Sequence, residues 1–386
     1  MDESFFNDFE RRLQSEGAAA ALAQLAEGLK QARRYGELFD VRLMQARLKH
    51  GLPVAQSTSL ESLSEPLRRA IEEDYLTACR EVGFALLEQR RLREAWKYLR
   101  PTDEQAAVSA ALMKIAPNEE NAEEIIEVAL HEGAAAEFGF KVLLDQYGLC
   151  NAISTMEAVV SHFPLPVKRA AAAMLVRELH SDLLKTLRDE IAESEDQTPP
   201  TESLRRLLEG RDWLFAEGRH HVDTSHLSAV VRAARLIEER EALRLALGLT
   251  EYGRRLHTDH QYADDAPFAD SYMAHGLFFA AQLGEQVDAA LDFFRKQAES
   301  NLAESENTIP AETFVVLLAR LGRHREAIDA ATRFLPPRRR VFRFAPSLAE
   351  LCRAAGDFAP LLERCRSEDD PVGFAGAMIE GRGKGC

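Results

Sequence analysis

Apolar residues along this chain recur every three or four positions almost from end to end, the spacing that gathers them on one face of an α-helix. Between Ser64 and Gln89, Leu67, Ala70, Ile71, Tyr75, Ala78, Val82 and Leu86 fall on one stripe, while Arg68, Glu72, Glu73, Arg80 and Glu88 face away. Asn118 to His131 reads the same way. Ile125, Ile126 and Ala129 lie inside, Glu119 and Glu120 sit where the helix dipole favours acids, and Gly133 is the stop. Sustained period-two runs and Asn-Gly or Asp-Gly hairpins are missing. The pattern predicts an all-α chain of helices about 12 to 20 residues long with short connectors, which suits antiparallel neighbours.

The C-terminal half adds a recurring turn. Leu283-Gly284-Glu285-Gln286, Leu321-Gly322-Arg323-His324 and Ala355-Gly356-Asp357-Phe358 each follow one helical stretch and precede another, with the glycines 38 and 34 residues apart. Around the middle turn, Phe314 to Arg320 forms one helix, and Ala327, Ile328, Ala331 and Phe334 line the buried side of the next. A helix-turn-helix repeated at this period predicts a solenoid.

These stretches resemble the tetratricopeptide repeat. Gly284, Gly322 and Gly356 match its inter-helix glycine, Ala289 and Ala327 its second-helix alanine, and Phe293 the large residue after it. Gly83, Leu86 and Ala95 match the first-helix glycine, the following large residue and the second-helix alanine, with Pro101 as terminator. Leu361 departs from the alanine position, and the middle of the chain shows no unit. The resemblance implies a right-handed α-solenoid of antiparallel helical pairs, serving as a scaffold or adaptor that takes a protein or peptide partner in its concave groove. The inner faces of the first helices then supply Tyr272, His275, Phe279 and Phe314 as partner-binding residues.

Charge narrows the partners. Acids outnumber bases 63 to 48, a net charge of −15, which argues against the basic footprint that nucleic acid requires. The opening MDESFFNDFERRL lacks the basic and apolar regions of a secretory signal, and no apolar stretch approaches a bilayer's thickness. Five cysteines without a CxxC pair read as reduced thiols, so a cytoplasmic protein is expected. The acidic, proline-containing stretch at 195–201 is either a linker dividing an N-terminal array, 1–194, from a C-terminal one, 202–378, or a loop within one continuous array. The tail at 379–386, IEGRGKGC, resembles a protease-cleavage remnant and is set aside.

Candidate chemistry concentrates in two polar connectors. GRHHVDTSHL brings His220, His221, Asp223 and His226 together, and RRLHTDHQYADDAPF holds His257, Asp259, His260, Asp264 and Asp265. The main reading is helix capping, with Asp223 or Thr224 accepting from free amides at a helix start. The alternative is a metal-dependent enzyme or metal sensor. Both connectors would lie on one edge of the array, a repeat apart, so that His221, Asp223, His226 and His260 bind Zn, Mn or Fe. Cys150, near a helix start, and the basic run PPRRRVFRF at 336–344 are further polar features. GxSxG, phosphate-loop and dinucleotide motifs are missing.

Overall fold

The computed structural model describes residues 3–55, 63–196, 203–301, 307–336 and 344–382, and among them every regular element is helical. The 195–201 stretch, the basic run and the tail fall largely outside the described residues.

The chain forms two compact units, Met1–Gly148 and Leu149–Cys386. Gly148, at φ +78°, interrupts the helical segment Ala136–Ala158. The boundary therefore lies about 50 residues before the acidic stretch. Leu165–Glu195, a helix of 31 residues, belongs to the second unit and packs against Thr224–Ala233 and Arg240–Gly253. Its Val176, Leu179, Leu183, Leu187 and Ile191 are buried at a spacing of three to four.

In the first unit, Glu3–Glu16, Ala18–Gln31, Tyr35–Lys49 and Glu65–Glu88 each pack against the next helix, and Leu92–Leu99 also packs against Ala122–Ile126 and Glu127–His131. The stripe expected over 64–89 is buried at Ile71, Ala78, Val82 and Leu86. Gly83 is there for close approach: a Cβ on it would lie 2.5 Å from Leu99 Cγ in the following helix. The next stretch starts later than its pattern predicts. Asn118 Oδ1 accepts from the Glu120 and Asn121 amides, holding residues 118–121 in a turn, and the helix runs Ala122–Ile126 before a π turn, Glu127–His131.

In the second unit, Arg240–Gly253, Ser271–Leu283, Val287–Asn301, Ile309–Arg320, His324–Phe334 and Leu348–Ala355 also pack in sequence order. Gly284, Gly322 and Gly356 all take left-handed φ, between +72° and +90°, and stop the helices before them. The turns differ in length. After Gly322 the next helix opens at His324, and Ala327 is buried as expected. After Gly284, Gln286 is also left-handed at φ +51°, and the next helix opens at Val287, three residues on. The extra residue rotates that helix by one position, about 100°. Ala290, Phe294 and Ala298 form its buried stripe, whereas Ala289 is exposed and Phe293 half-buried.

Ile309–Arg320 is buried at every position from Pro310 to Leu318. A helix apolar on all sides belongs inside a core. Its one interior carboxylate, Glu312, accepts from Thr308 Oγ1 at 2.6 Å and from the Phe344 and Ala345 amides at 3.0 and 3.4 Å.

The close approaches give a stability test. Gly83→Ala and Gly253→Ala, the second against the Tyr272 ring, should each destabilise by about 1–3 kcal/mol through overpacking. Gly28→Ala, on an exposed helical face with no atom within 4 Å, should stabilise by up to about 1 kcal/mol. Urea melts of the three variants check both directions.

Candidate functional site

Asp223 is the helix cap of the first connector. Its Oδ1 accepts from the Ser225 and His226 amides at 2.8 and 3.1 Å and from Ser225 Oγ at 2.5 Å. These bonds, the hydroxyl's foremost, hold the carboxyl below the usual aspartate range. His221 turns inward. Its amide donates to the Tyr252 hydroxyl at 2.8 Å, and its Nδ1 lies 3.0 Å from the same oxygen. Nε2 lies 2.9 Å from Glu190 Oε2, while Arg219 donates to the other carboxylate oxygen at 3.1 Å. Burial pushes the His221 pKa down against the pull of Glu190 and pushes the Tyr252 phenol up to about 12. These contacts fasten the connector onto the Leu165–Glu195 helix.

The two connectors do meet, but at His220 and His260, whose ring centroids are 4.7 Å apart. His221, Asp223, His226 and His260 do not converge on one point. Among the described residues no three His, Cys, Asp or Glu side chains come together in an arrangement that would hold a metal ion. His257 caps the short turn after it, its Nδ1 accepting from the Asp259 amide at 3.4 Å. Cys150 is exposed, while Cys79, Cys352 and Cys365 are buried.

Tyr272, His275, Phe279 and Phe314, expected on an open inner face, are core residues, with exposures of 1, 0, 0 and 7%. The reason is packing density: Tyr272 lies against Gly253 of the preceding helix, and Phe314 lies on the helix buried all round. His275 stacks on Phe268 at 4.2 Å, and its Nδ1 donates to the Ser271 carbonyl at 2.6 Å. Burial, aided by Arg235 and Arg232, pushes its pKa down to about 3.

The open surface of the second unit lies elsewhere. A groove of about 1240 Å³ runs over the 149–158 segment, the Leu165–Glu195 helix, the end of Thr224–Ala233 with the connector that follows it to Glu238, the 264–268 loop, Ser271–Leu283 and Ile309–Arg320. Leu175, Leu243, Phe268, Phe278 and Val316 give it an apolar floor. Arginines rise from that floor: the Arg235 guanidinium sits 4.8 Å from the Phe268 ring centre and that of Arg320 sits 5.6 Å from Phe278.

Arg320 anchors this wall. Its Nη1 donates to the Arg235 and Ile237 carbonyls at 2.9 and 3.2 Å and to Gln282 Oε1 at 3.0 Å. Its Nε lies 3.4 Å from Glu238 Oε1, the oxygen that also accepts from Arg169 Nη2. Burial pushes Arg320 down to about 10, so it remains a cation at neutral pH. Arg235 faces Asp264 at 3.7 Å and Arg232 faces Glu157 at 4.0 Å. Sequence reasoning missed these arginines because Arg169 and Arg320 are 151 positions apart. One signal was present: Arg320 closes the apolar run from Phe314 to Ala319.

No protein-family model, curated protein or solved structure matches the chain. No helix among the described residues is long and apolar enough to cross a membrane.

His275 gives a pH test. Its folded pKa lies below its ordinary value near 6.5, so between about 6.5 and 3 the unfolded chain binds a proton that the folded one does not. Its stabilising share is therefore complete above pH 6.5 and lost as pH falls, by up to about 1.4 kcal/mol per unit. His275→Asn, which retains a donor toward the Ser271 carbonyl, should flatten the loss of urea stability between pH 6.5 and 4.5 relative to wild type.

Proposed function

We propose that the second unit is an α-solenoid of tetratricopeptide-like pairs that acts as a scaffold or adaptor, binding a polypeptide segment of a partner in the groove. One observation carries this reading: a groove whose arginines are already packed on aromatic rings, Arg235 over Phe268 and Arg320 over Phe278. Aromatic and arginine side chains dominate the energetics of protein recognition surfaces. The groove's volume of about 1240 Å³ leaves room for a polypeptide segment.

The groove does not depend on the residues first expected to line it. Tyr272, Phe279 and Phe314 are core residues, as are Phe268, Phe278 and Val316 of its floor, so its contact surface is the half-buried and exposed rim, with Arg232, Arg235, Glu238 and Ala319.

Ala319, half-buried in the groove wall, offers a direct test. Peptides selected from a random displayed library against the wild-type chain should bind Ala319→Trp at least about tenfold more weakly, since an indole filling the groove displaces buried contacts. The melting temperature should stay within a few degrees of wild type. Selected peptides that bind both proteins equally would place recognition elsewhere and end this reading.

A further inference from the structure

The helix Pro371–Arg382, the last one described, is apolar on both of its sides. Its inner side packs on Ala359–Ser367, with Ala377 3% exposed and the Arg366 guanidinium 4.9 Å from the Phe374 ring centre. Its outer side carries Val372 and Ile379, at 74 and 73% the two most exposed large apolar side chains among the described residues. Ala375 and Gly376 lie exposed between them. These four positions follow the i, i+3, i+4, i+7 spacing of one helical stripe. The solvent side of a surface helix normally carries charge, yet none occurs from Pro371 to Ile379. Residues 379–382, set aside on their sequence, continue this helix, and Arg353 grips Glu380 with bonds of 2.9 and 2.8 Å.

We infer that this face is a self-association surface, on which two copies of the chain pair antiparallel through Pro371–Arg382, about a two-fold axis between Ala375 and Gly376.

The order of residues makes the face complementary to itself. The midpoint between Val372 and Ile379 falls between positions 375 and 376, and so does the midpoint between Asp369 and Arg382. An antiparallel pair centred there sets Val372 against Ile379 of the partner subunit and Asp369 against Arg382 of the partner subunit. Symmetry makes each contact twice. Asp369 and Arg382 are both exposed, and neither has an ion-pair partner among the described residues. A parallel pair would instead oppose acid to acid and base to base, which disfavours that arrangement. At the crossing point a Cβ on Gly376 would meet no atom within 4 Å, so a second backbone has room to approach. The contact is one helix wide. Interfaces below about 1,200 Å² form transient complexes, so the dimer should dissociate at micromolar concentrations.

Sedimentation equilibrium of the full chain, from about 5 to 500 µM, tests the inference across the range expected of so small an interface. Wild type should pass from monomer toward dimer. Val372→Glu buries a charge against an apolar partner on association, so it should keep the chain monomeric. Its melting temperature should be unchanged, because that side chain is 74% exposed in the single chain. Asp369→Arg and Arg382→Asp should each weaken association by about fivefold or more, since each creates two like-charge contacts. The chain carrying both substitutions should return to within about twofold of wild type, because the pairs re-form with their signs exchanged. Wild type that stays monomeric throughout overturns the inference. Dimers indifferent to Val372→Glu, or a double variant no better than its parents, do the same.

Discussion

A single buried cation organises the second unit. The Arg320 guanidinium bonds to carbonyls of the connector after Thr224–Ala233 and to Gln282 of Ser271–Leu283, while its own backbone ends Ile309–Arg320. Three separate helical segments of the second unit are thus tied at one point. A charge removed from water is tolerated only when its donors are satisfied, and breaking such a network typically costs about 3–5 kcal/mol. The constraint also explains why the connector from 235 to 238 lies where it does. Its carbonyls are the acceptors that the cation requires, and Glu238 is carried into the groove with them.

The consequence is a surface whose polar groups are positioned by the fold's interior. Arg320 and Arg235 lie over Phe278 and Phe268, and those rings belong to an aromatic cluster with Phe294. His275 lies behind Phe268, neutral because it is buried. The groove is therefore backed by a core that fixes its arginines in place.

Local features were legible in the sequence. Ala327, Ile328, Ala331 and Phe334 were readable as a buried stripe, and all four are 7% exposed or less. Asp223 was readable as a cap because a short acceptor before an apolar-periodic run satisfies free amides whatever the tertiary setting. The groove was not. Arg169 and Arg320 meet through packing between distant helices, and no local rule indicates that they share an acceptor. Tyr272 and Phe314 misled for the converse reason: a first-helix position says which way a side chain points in an ideal repeat, not how deeply neighbouring helices bury it. The histidine connectors touch at His220 and His260, but His221 is claimed by Tyr252 and Glu190, partners that no spacing within the connector reveals.

The turn after Gly284 has an evolutionary implication. With one residue more than its counterpart after Gly322, it turns the next helix by about 100° and exchanges Ala289 for Ala290 on the packed side. A single inserted codon can thus change which residues of a whole helix are constrained by packing and which are free to vary. A series of packed helices can therefore keep its architecture while any fixed spacing of marker residues drifts out of phase.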